Sequence, residues 1–184
     1  MEDLRKYLKY YSLGDYLFKD IHKNFQTRGH LTHEEFFAIV IWKSNRAKTK
    51  IKNGIEKSGK TIRAITSEVF HAETPEQKLK ILTSVFSIGV PIASAILTVC
   101  YPDDFTIIDY RALASLKKDF GEEVEGDPAS QKYPYAAYFN YLNKCKNLAH
   151  KYNLSLREFD QVLWGKDFYE GANGLKDLVK GLDE

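Results

Sequence analysis

The stretch 74–116 constrains the fold of this chain more than any other, because two helical patterns meet there across a very short turn. Thr74, with Gln77 three residues later, is typical of a helix N-cap and predicts where the first helix begins. The second helix begins near Pro91, which a first helical turn tolerates because its missing N–H would have no partner within the helix. The arrangement predicts a helix-hairpin-helix with its turn near residues 87–91.

Apolar residues at helical spacing support the first of these two helices. Leu79, Leu82 and Phe86 follow the N-cap, so we expect the helix to continue as far as Ser87. The hairpin then directs the backbone N–H groups of the turn, and of the first turn of the second helix, outward at the positive end of the helix dipole. A nucleic-acid phosphate would fit such a site. We therefore expect DNA contacts from Ser87, Ile88, Gly89 and Val90.

One carboxylate stands just beyond an apolar run that follows the hairpin. Residues 105–108 have an extended pattern, and Asp109 then opens another predicted helix. Asp109 is the candidate catalytic residue of the chain. The alternative is that it serves only as a helix N-cap, since an aspartate before a helix commonly accepts backbone N–H groups. The two roles are compatible.

These motifs together resemble a known family. A hairpin containing Gly89, an Ala93 in the next helix, and Asp109 with Arg111 about twenty positions later are similar to the helix-hairpin-helix superfamily of base-excision DNA glycosylases. The resemblance covers about a quarter of the chain. It implies two helical lobes with a cleft between them, and monofunctional hydrolysis of the N-glycosidic bond of a damaged or mismatched base flipped from duplex DNA. In that reaction Asp109 would stabilise an oxocarbenium-like sugar and activate water.

The chain departs from the usual family pattern at two positions. The hairpin of the family commonly reads Gly-apolar-Gly, whereas this one has Ser87 in place of the first glycine. Pro91 stands where the bifunctional members carry a lysine that forms a Schiff base. The second departure implies that lyase chemistry is absent at that position.

Basic residues are unevenly distributed. The net charge of +2 is too small to indicate nucleic-acid binding, but residues 43–63 carry eight basic residues against the single acid Glu56. The segment 42–46, Trp-Lys-Ser-Asn-Arg, is also similar to a Trp-Lys-Ser-x-Arg segment in uncharacterised members of the same superfamily. The alternative is a solvated helix face. The DNA-binding interpretation selects Lys43, Ser44, Arg46 and Lys48.

Several classes of protein are excluded by composition. The only cysteines, Cys100 and Cys145, indicate neither a disulfide framework nor the iron–sulfur cluster of some glycosylases, and His30 with His33 lacks further metal ligands. We therefore expect no cofactor and no metal. No apolar run approaches the roughly 18 to 20 residues that span a bilayer, so we expect no membrane partner and a cytoplasmic protein, nucleoid-associated if prokaryotic.

The pattern as a whole predicts an all-α protein and a single globular unit over residues 1–184. We expect double-stranded DNA as its partner and a monomer in solution. Residues 31–102 would form the lobe with the hairpin, and 1–30 plus 103–184 the second lobe. Further capping boxes are predicted at Thr32 and at Ser155, an amphipathic helix within 3–11, and a mobile acidic loop at 121–132.

Two functions remain open from sequence. One is the monofunctional glycosylase, and the other is a non-catalytic helix-hairpin-helix module that binds DNA and uses Asp109 only as a cap. A base-sized pocket beside Asp109 is expected only of the glycosylase. A third interpretation, a protein–protein adaptor without enzyme activity, would require that the basic face of residues 43–63 does not bind DNA.

Overall fold

The computed structural model describes residues 13–126, 132–171 and 174–180, and the regular elements within these ranges are helices. The predicted all-α class is confirmed, while the helix-hairpin-helix glycosylase fold and its cleft stay predictions. The helix predicted within 3–11 and residues 127–131 of the predicted acidic loop lie outside the described residues. Two compact units divide the chain, Met1–Pro102 and Asp103–Glu184.

Unit 1 (Met1–Pro102) is built around one fully buried helix. Its described helices are α1 (residues 13–28, with a π-helical segment at Tyr16–Ile21), α2 (His33–Ser44), α3 (Lys48–Ser58, preceded by the 3-10 turn Asn45–Ala47), α4 (Ile62–His71), α5 (Pro75–Thr83) and α6 (Val90–Cys100). All 11 residues of α6 are buried, as expected for a helix that is apolar on every side. Helices α1, α2 and α5 pack around it.

The position of α1 differs from the sequence-based grouping, which assigned residues 1–30 to a lobe with 103–184. Gln26 of α1 donates its side-chain amide to the carbonyl of Cys100 at 2.7 Å, and so closes the C-terminal end of α6. Phe25 is fully buried against the rings of Phe70 and Tyr101. These long-range contacts place α1 in unit 1, and helical periodicity alone does not reveal them.

Helix starts follow the predicted capping chemistry. Thr74 Oγ1 accepts the Gln77 N–H at 3.2 Å, and the Gln77 side chain accepts the Thr74 N–H at 3.1 Å. The same reciprocal arrangement begins α2 at Thr32 and α9 at Ser155. All three predicted capping boxes are confirmed, because each depends only on residues within one turn of the helix start.

Unit 2 (Asp103–Glu184) contains α7 (Tyr110–Phe120), α8 (Tyr135–Lys151), α9 (Leu156–Glu170) and the short α10 (Leu175–Leu178). Helix α9 continues through Gly165, a residue that disfavours a helix interior. Its last turns are tied to α7: Arg111 donates to Asp167 at 2.8 Å, and Lys118 Nζ donates to the carbonyl of Glu170 at 2.5 Å. Tertiary packing therefore overrides the low helix propensity of glycine.

Candidate nucleic-acid interface

The hairpin turn begins earlier than predicted. Helix α5 ends at Thr83 rather than near Ser87, and α6 begins after Gly89. The Ser84 hydroxyl donates to the carbonyl of Ile81 at 2.7 Å, which satisfies one of the carbonyls left unpaired at the end of a helix. The turn itself is closed by the Ile88 N–H, which donates to Val85 at 2.8 Å.

The start of α6 leaves backbone donors unused. The carbonyl of Gly89 accepts the N–H groups of Ile92 and Ala93, whereas the N–H groups of Gly89 and Val90 donate to no acceptor in the described part of the chain. Gly89 is exposed and has no side chain to cap the helix. Two neighbouring donors therefore lie at the positive end of the α6 dipole, which is the geometry that binds an anion.

Side chains of the turn hold it against α3. Ile88 is buried, and the hydroxyl of Ser87 is buried without a hydrogen-bond partner among the described residues. A Cβ placed on Gly54 would lie 1.9 Å from Ser87 Oγ, so the absence of a side chain at Gly54 allows α3 to approach the turn. Since the Ile88 side chain and the Ser87 hydroxyl are buried and the Ile88 N–H already donates to Val85, the DNA contacts expected of Ser87 and Ile88 stay predictions.

Phe86 lies outside the helix to which its sequence spacing assigned it. Leu79 and Leu82, which share its helical spacing, are fully buried, but the side chain of Phe86 is 91% exposed because α5 has already ended. It borders a recess of about 340 Å³ along α3. The recess is lined by Thr49, Lys50, Asn53, Gly54, Lys57 and Phe86.

The four residues that the basic segment predicted as DNA contacts precede the α3 residues of the recess in sequence. Lys43 and Ser44 end α2 and are half-buried, Arg46 is exposed in the 3-10 turn, and Lys48 begins α3 with its ammonium donating to Asn45 at 2.7 Å. None of these four lines the recess. Their role in DNA binding stays a prediction.

Two lysines that the motif did not select do line the recess. Lys50 and Lys57 are exposed, and neither has an acidic partner within the described ranges. The sequence signal that could have identified them is Gly54, a glycine inside an amphipathic helix, which indicates a close approach of another backbone. Lys50 and Lys57 lie one helical turn before and after Gly54, so they border the segment that approaches it.

Asp109 begins α7 as an N-cap, as one of the two sequence interpretations requires. Its Oδ1 accepts the N–H of Ala112 at 2.9 Å, and the residue is half-buried. The preceding extended segment is fixed by two buried tyrosines of α8: Tyr138 donates to Thr106 at 3.0 Å and Tyr141 to Ile107 at 2.8 Å.

These tyrosine hydroxyls are permanent donors. Burial raises the pKa of both Tyr138 and Tyr141 above the ordinary tyrosine value, so each keeps its proton at any physiological pH. The backbone that precedes Asp109 is therefore hydrogen-bonded to side chains in the core of unit 2.

The described residues were also compared with what a metal site and a membrane-spanning helix require. Within residues 13–126, 132–171 and 174–180, no three potential ligands are grouped to hold a metal ion. No helix in those ranges has both the length and the apolarity that crossing a bilayer requires. Cys100 and Cys145 are unpaired and buried, and burial raises the pKa of Cys145 to about 12.

Comparison with known proteins identifies no relative: no family model matches the chain, and no curated protein or solved structure matches it significantly.

Proposed function

We propose that the protein binds double-stranded DNA through the hairpin surface, defined as residues 84–90 together with the side of α3 that lines the recess. The observation that carries this proposal is the pair of unused N–H donors at Gly89 and Val90. They begin a helix of 11 residues, which is long enough for an aligned dipole. A phosphate oxygen is the acceptor that such donors fit best.

The charge beside the hairpin supports a polyanionic ligand. Lys50 and Lys57 extend from α3, which contacts the turn through Gly54. Exposed ammonium groups without acidic partners increase the rate of encounter with DNA and release counterions when they reach phosphate. Backbone donors would position one phosphate, and the lysines would add sequence-independent affinity.

A binding titration tests this proposal. The fluorescence polarisation of a labelled duplex, measured at several salt concentrations, should give an affinity that falls with salt by a log–log slope of about −0.9 for each phosphate contacted. The double variant Lys50→Glu, Lys57→Glu should bind more weakly and lower the slope by about one per lost contact.

The double variant Lys146→Glu, Lys151→Glu is the matched control, because both residues are exposed lysines of α8 in unit 2 and their substitution changes the net charge by the same amount. It should leave the affinity close to that of the wild type. Equal loss in both variants would indicate nonspecific electrostatics rather than a hairpin site. No binding by the wild type at low salt would contradict the proposal itself.

A second candidate function is monofunctional base excision, with Asp109 as the catalytic residue. The observation that favours it is the position of Asp109 directly after a segment whose carbonyls accept hydrogen bonds from the buried Tyr138 and Tyr141. A carboxylate supported in this way needs little reorganisation to stabilise positive charge on a sugar. A panel of duplexes with oxidised, alkylated, deaminated or mismatched bases, followed by alkali to cleave abasic sites, tests this candidate.

A further inference from the structure

Phe86 is the most exposed large apolar side chain of the described residues, at 91%. A single exposed apolar residue needs no explanation by itself. Phe86 differs because it follows the end of α5 within the DNA-binding turn proposed above, and because it is one of the residues that line a recess. The environment of the ring therefore decides what could cover it.

The recess is formed by one side of α3. Lys50, Asn53 and Lys57 recur at intervals of three and four residues, which places them on the same face of the helix, and Gly54 between them is where the turn approaches α3. Its volume of about 340 Å³ lies near the lower limit of small-ligand pockets, about 300–1,000 Å³. A recess of this volume can hold one small group such as a nucleobase.

The chemistry of the lining favours a nucleotide. Phe86 offers an aromatic face, on which any nucleobase can stack. Asn53 offers an amide that both donates and accepts, and so can pair with a base edge. Lys50 and Lys57 supply positive charge without acidic partners in the described part of the chain, and that charge complements the phosphates on either side of a base.

We propose that Phe86 is a base-stacking residue, on which one unpaired base of the bound DNA lies within the recess. This inference rests on the proposed binding of DNA by the hairpin surface and specifies which DNA is preferred. A base inside a continuous duplex has both faces covered by its neighbours, so it cannot stack on Phe86. The preferred ligand is therefore DNA with an unpaired base, such as a single-base bulge.

The test compares two DNA molecules of the same length, one fully paired and one with a single bulged 2-aminopurine, whose fluorescence falls when it stacks on an aromatic ring. The full-length wild type should bind the bulged DNA more tightly and quench its fluorescence. Phe86→Ala should reduce the affinity for the bulged DNA by roughly 5- to 150-fold, the range that stacking energies of about 1–3 kcal/mol give. The loss of affinity for the paired duplex should be smaller, because that ligand offers no unpaired base to stack on the ring, so the preference for the bulged DNA should disappear.

Two further variants make the result specific. Phe86→Trp keeps an aromatic face and should retain both the preference and the quenching. Leu178→Ala removes another highly exposed apolar side chain, 75% exposed in α10 of unit 2, and should change neither.

Each outcome bears on a different claim. An unchanged preference in Phe86→Ala overturns the stacking role while leaving DNA binding by the hairpin intact. Equal wild-type affinity for both DNA molecules also overturns it. No wild-type binding to either DNA overturns the proposed function and this inference with it. Anionic phospholipid vesicles that bind through Phe86, without any bulge preference, would assign the ring to a membrane surface instead.

Discussion

Two helix starts in this chain have similar backbones and opposite chemistry. Gly89 before α6 and Asp109 before α7 both have extended conformations, with φ and ψ of −82° and 169° for Gly89 and −155° and 175° for Asp109. Each precedes a helix of 11 residues. At Asp109 a carboxylate accepts the Ala112 N–H and places negative charge on the dipole. Gly89 has no side chain, so the start of α6 has neither this hydrogen bond nor this negative charge.

The comparison shows that one side chain decides whether a helix start is satisfied internally or offers its donors to a ligand. An aspartate neutralises the positive end of α7 and repels an incoming phosphate, whereas a glycine leaves the positive end of α6 accessible. Under the proposals above, unit 1 binds DNA phosphate at the start of α6, because no side chain caps that helix. Unit 2 would contribute a carboxylate whose role as a cap also fixes its position.

The largest expected effect comes from removing the charge at Asp109 while keeping the cap. Asn is an equally good N-cap, so Asp109→Asn should lower the melting temperature only slightly, through the lost interaction of the charge with the helix dipole. If Asp109 assists base release, the rate on a susceptible duplex should fall by about 10²- to 10⁴-fold, because a neutral amide cannot accept a proton or stabilise a cationic sugar.

The measurement is single-turnover base release by wild type and variant, with duplex affinity as the control. Wild-type release that persists in Asp109→Asn would limit Asp109 to capping. Affinity for DNA should survive the substitution, since the carboxylate would act mainly in the transition state.

The next effect comes from making the α6 start resemble the α7 start. In Gly89→Asp the new Cβ would meet only Pro91 Cδ at 3.7 Å, an ordinary contact, and the carboxylate could cap α6. Stability should therefore be unchanged or slightly higher, while duplex affinity falls at least about tenfold because like charges meet at the phosphate site.

Gly14→Asp, at an exposed glycine of α1 with no atom within 4 Å of a new Cβ, is the control for net charge. Equal affinity of Gly89→Asp and Gly14→Asp for duplex would refute the comparison. Gly89→Asn separates the two effects further, since it can cap α6 without adding charge.

A smaller effect is expected where α3 meets the turn. Gly54→Ala places a Cβ 1.9 Å from Ser87 Oγ, so the turn or the Ser87 rotamer must shift, and overpacking of this kind costs about 1–3 kcal/mol. Ser87→Gly removes the clashing hydroxyl, and the double variant should recover most of the loss in urea unfolding. No loss in Gly54→Ala would show that the contact does not hold the turn.

The smallest effect should follow the reciprocal exchange at α7. Asp109→Gly leaves the Ala112 N–H to water, which should lower the free energy of unfolding by a few tenths of a kcal/mol. Thermal unfolding would measure the change. A loss of several kcal/mol would mean that Asp109 supports unit 2 through more than the cap.

How much of this could be read from sequence depends on the range of the interactions. Thr74 with Gln77 and Asp109 with Ala112 act within one turn, so the residue types and spacing sufficed. The exposure of Phe86 could not be predicted, because its spacing matches a helix that ends at Thr83.

Longer-range features needed the structure. The recess beside Phe86 depends on the approach of Ser87 to Gly54, a contact between residues more than thirty positions apart. The continuation of α9 through Gly165 likewise depends on side chains of α7. Periodicity within one helix contains no information about either.

The central claim, that the unused donors at the start of α6 bind DNA phosphate, can be measured at the donors themselves. Two-dimensional ¹H–¹⁵N NMR of the labelled protein reports each backbone N–H during titration with duplex DNA. The amide proton signals of Gly89 and Val90 should shift downfield as phosphate oxygens accept them, while the signal of Ala112, already bonded to Asp109, stays in place. Saturation with duplex that leaves Gly89 and Val90 unshifted would contradict the account.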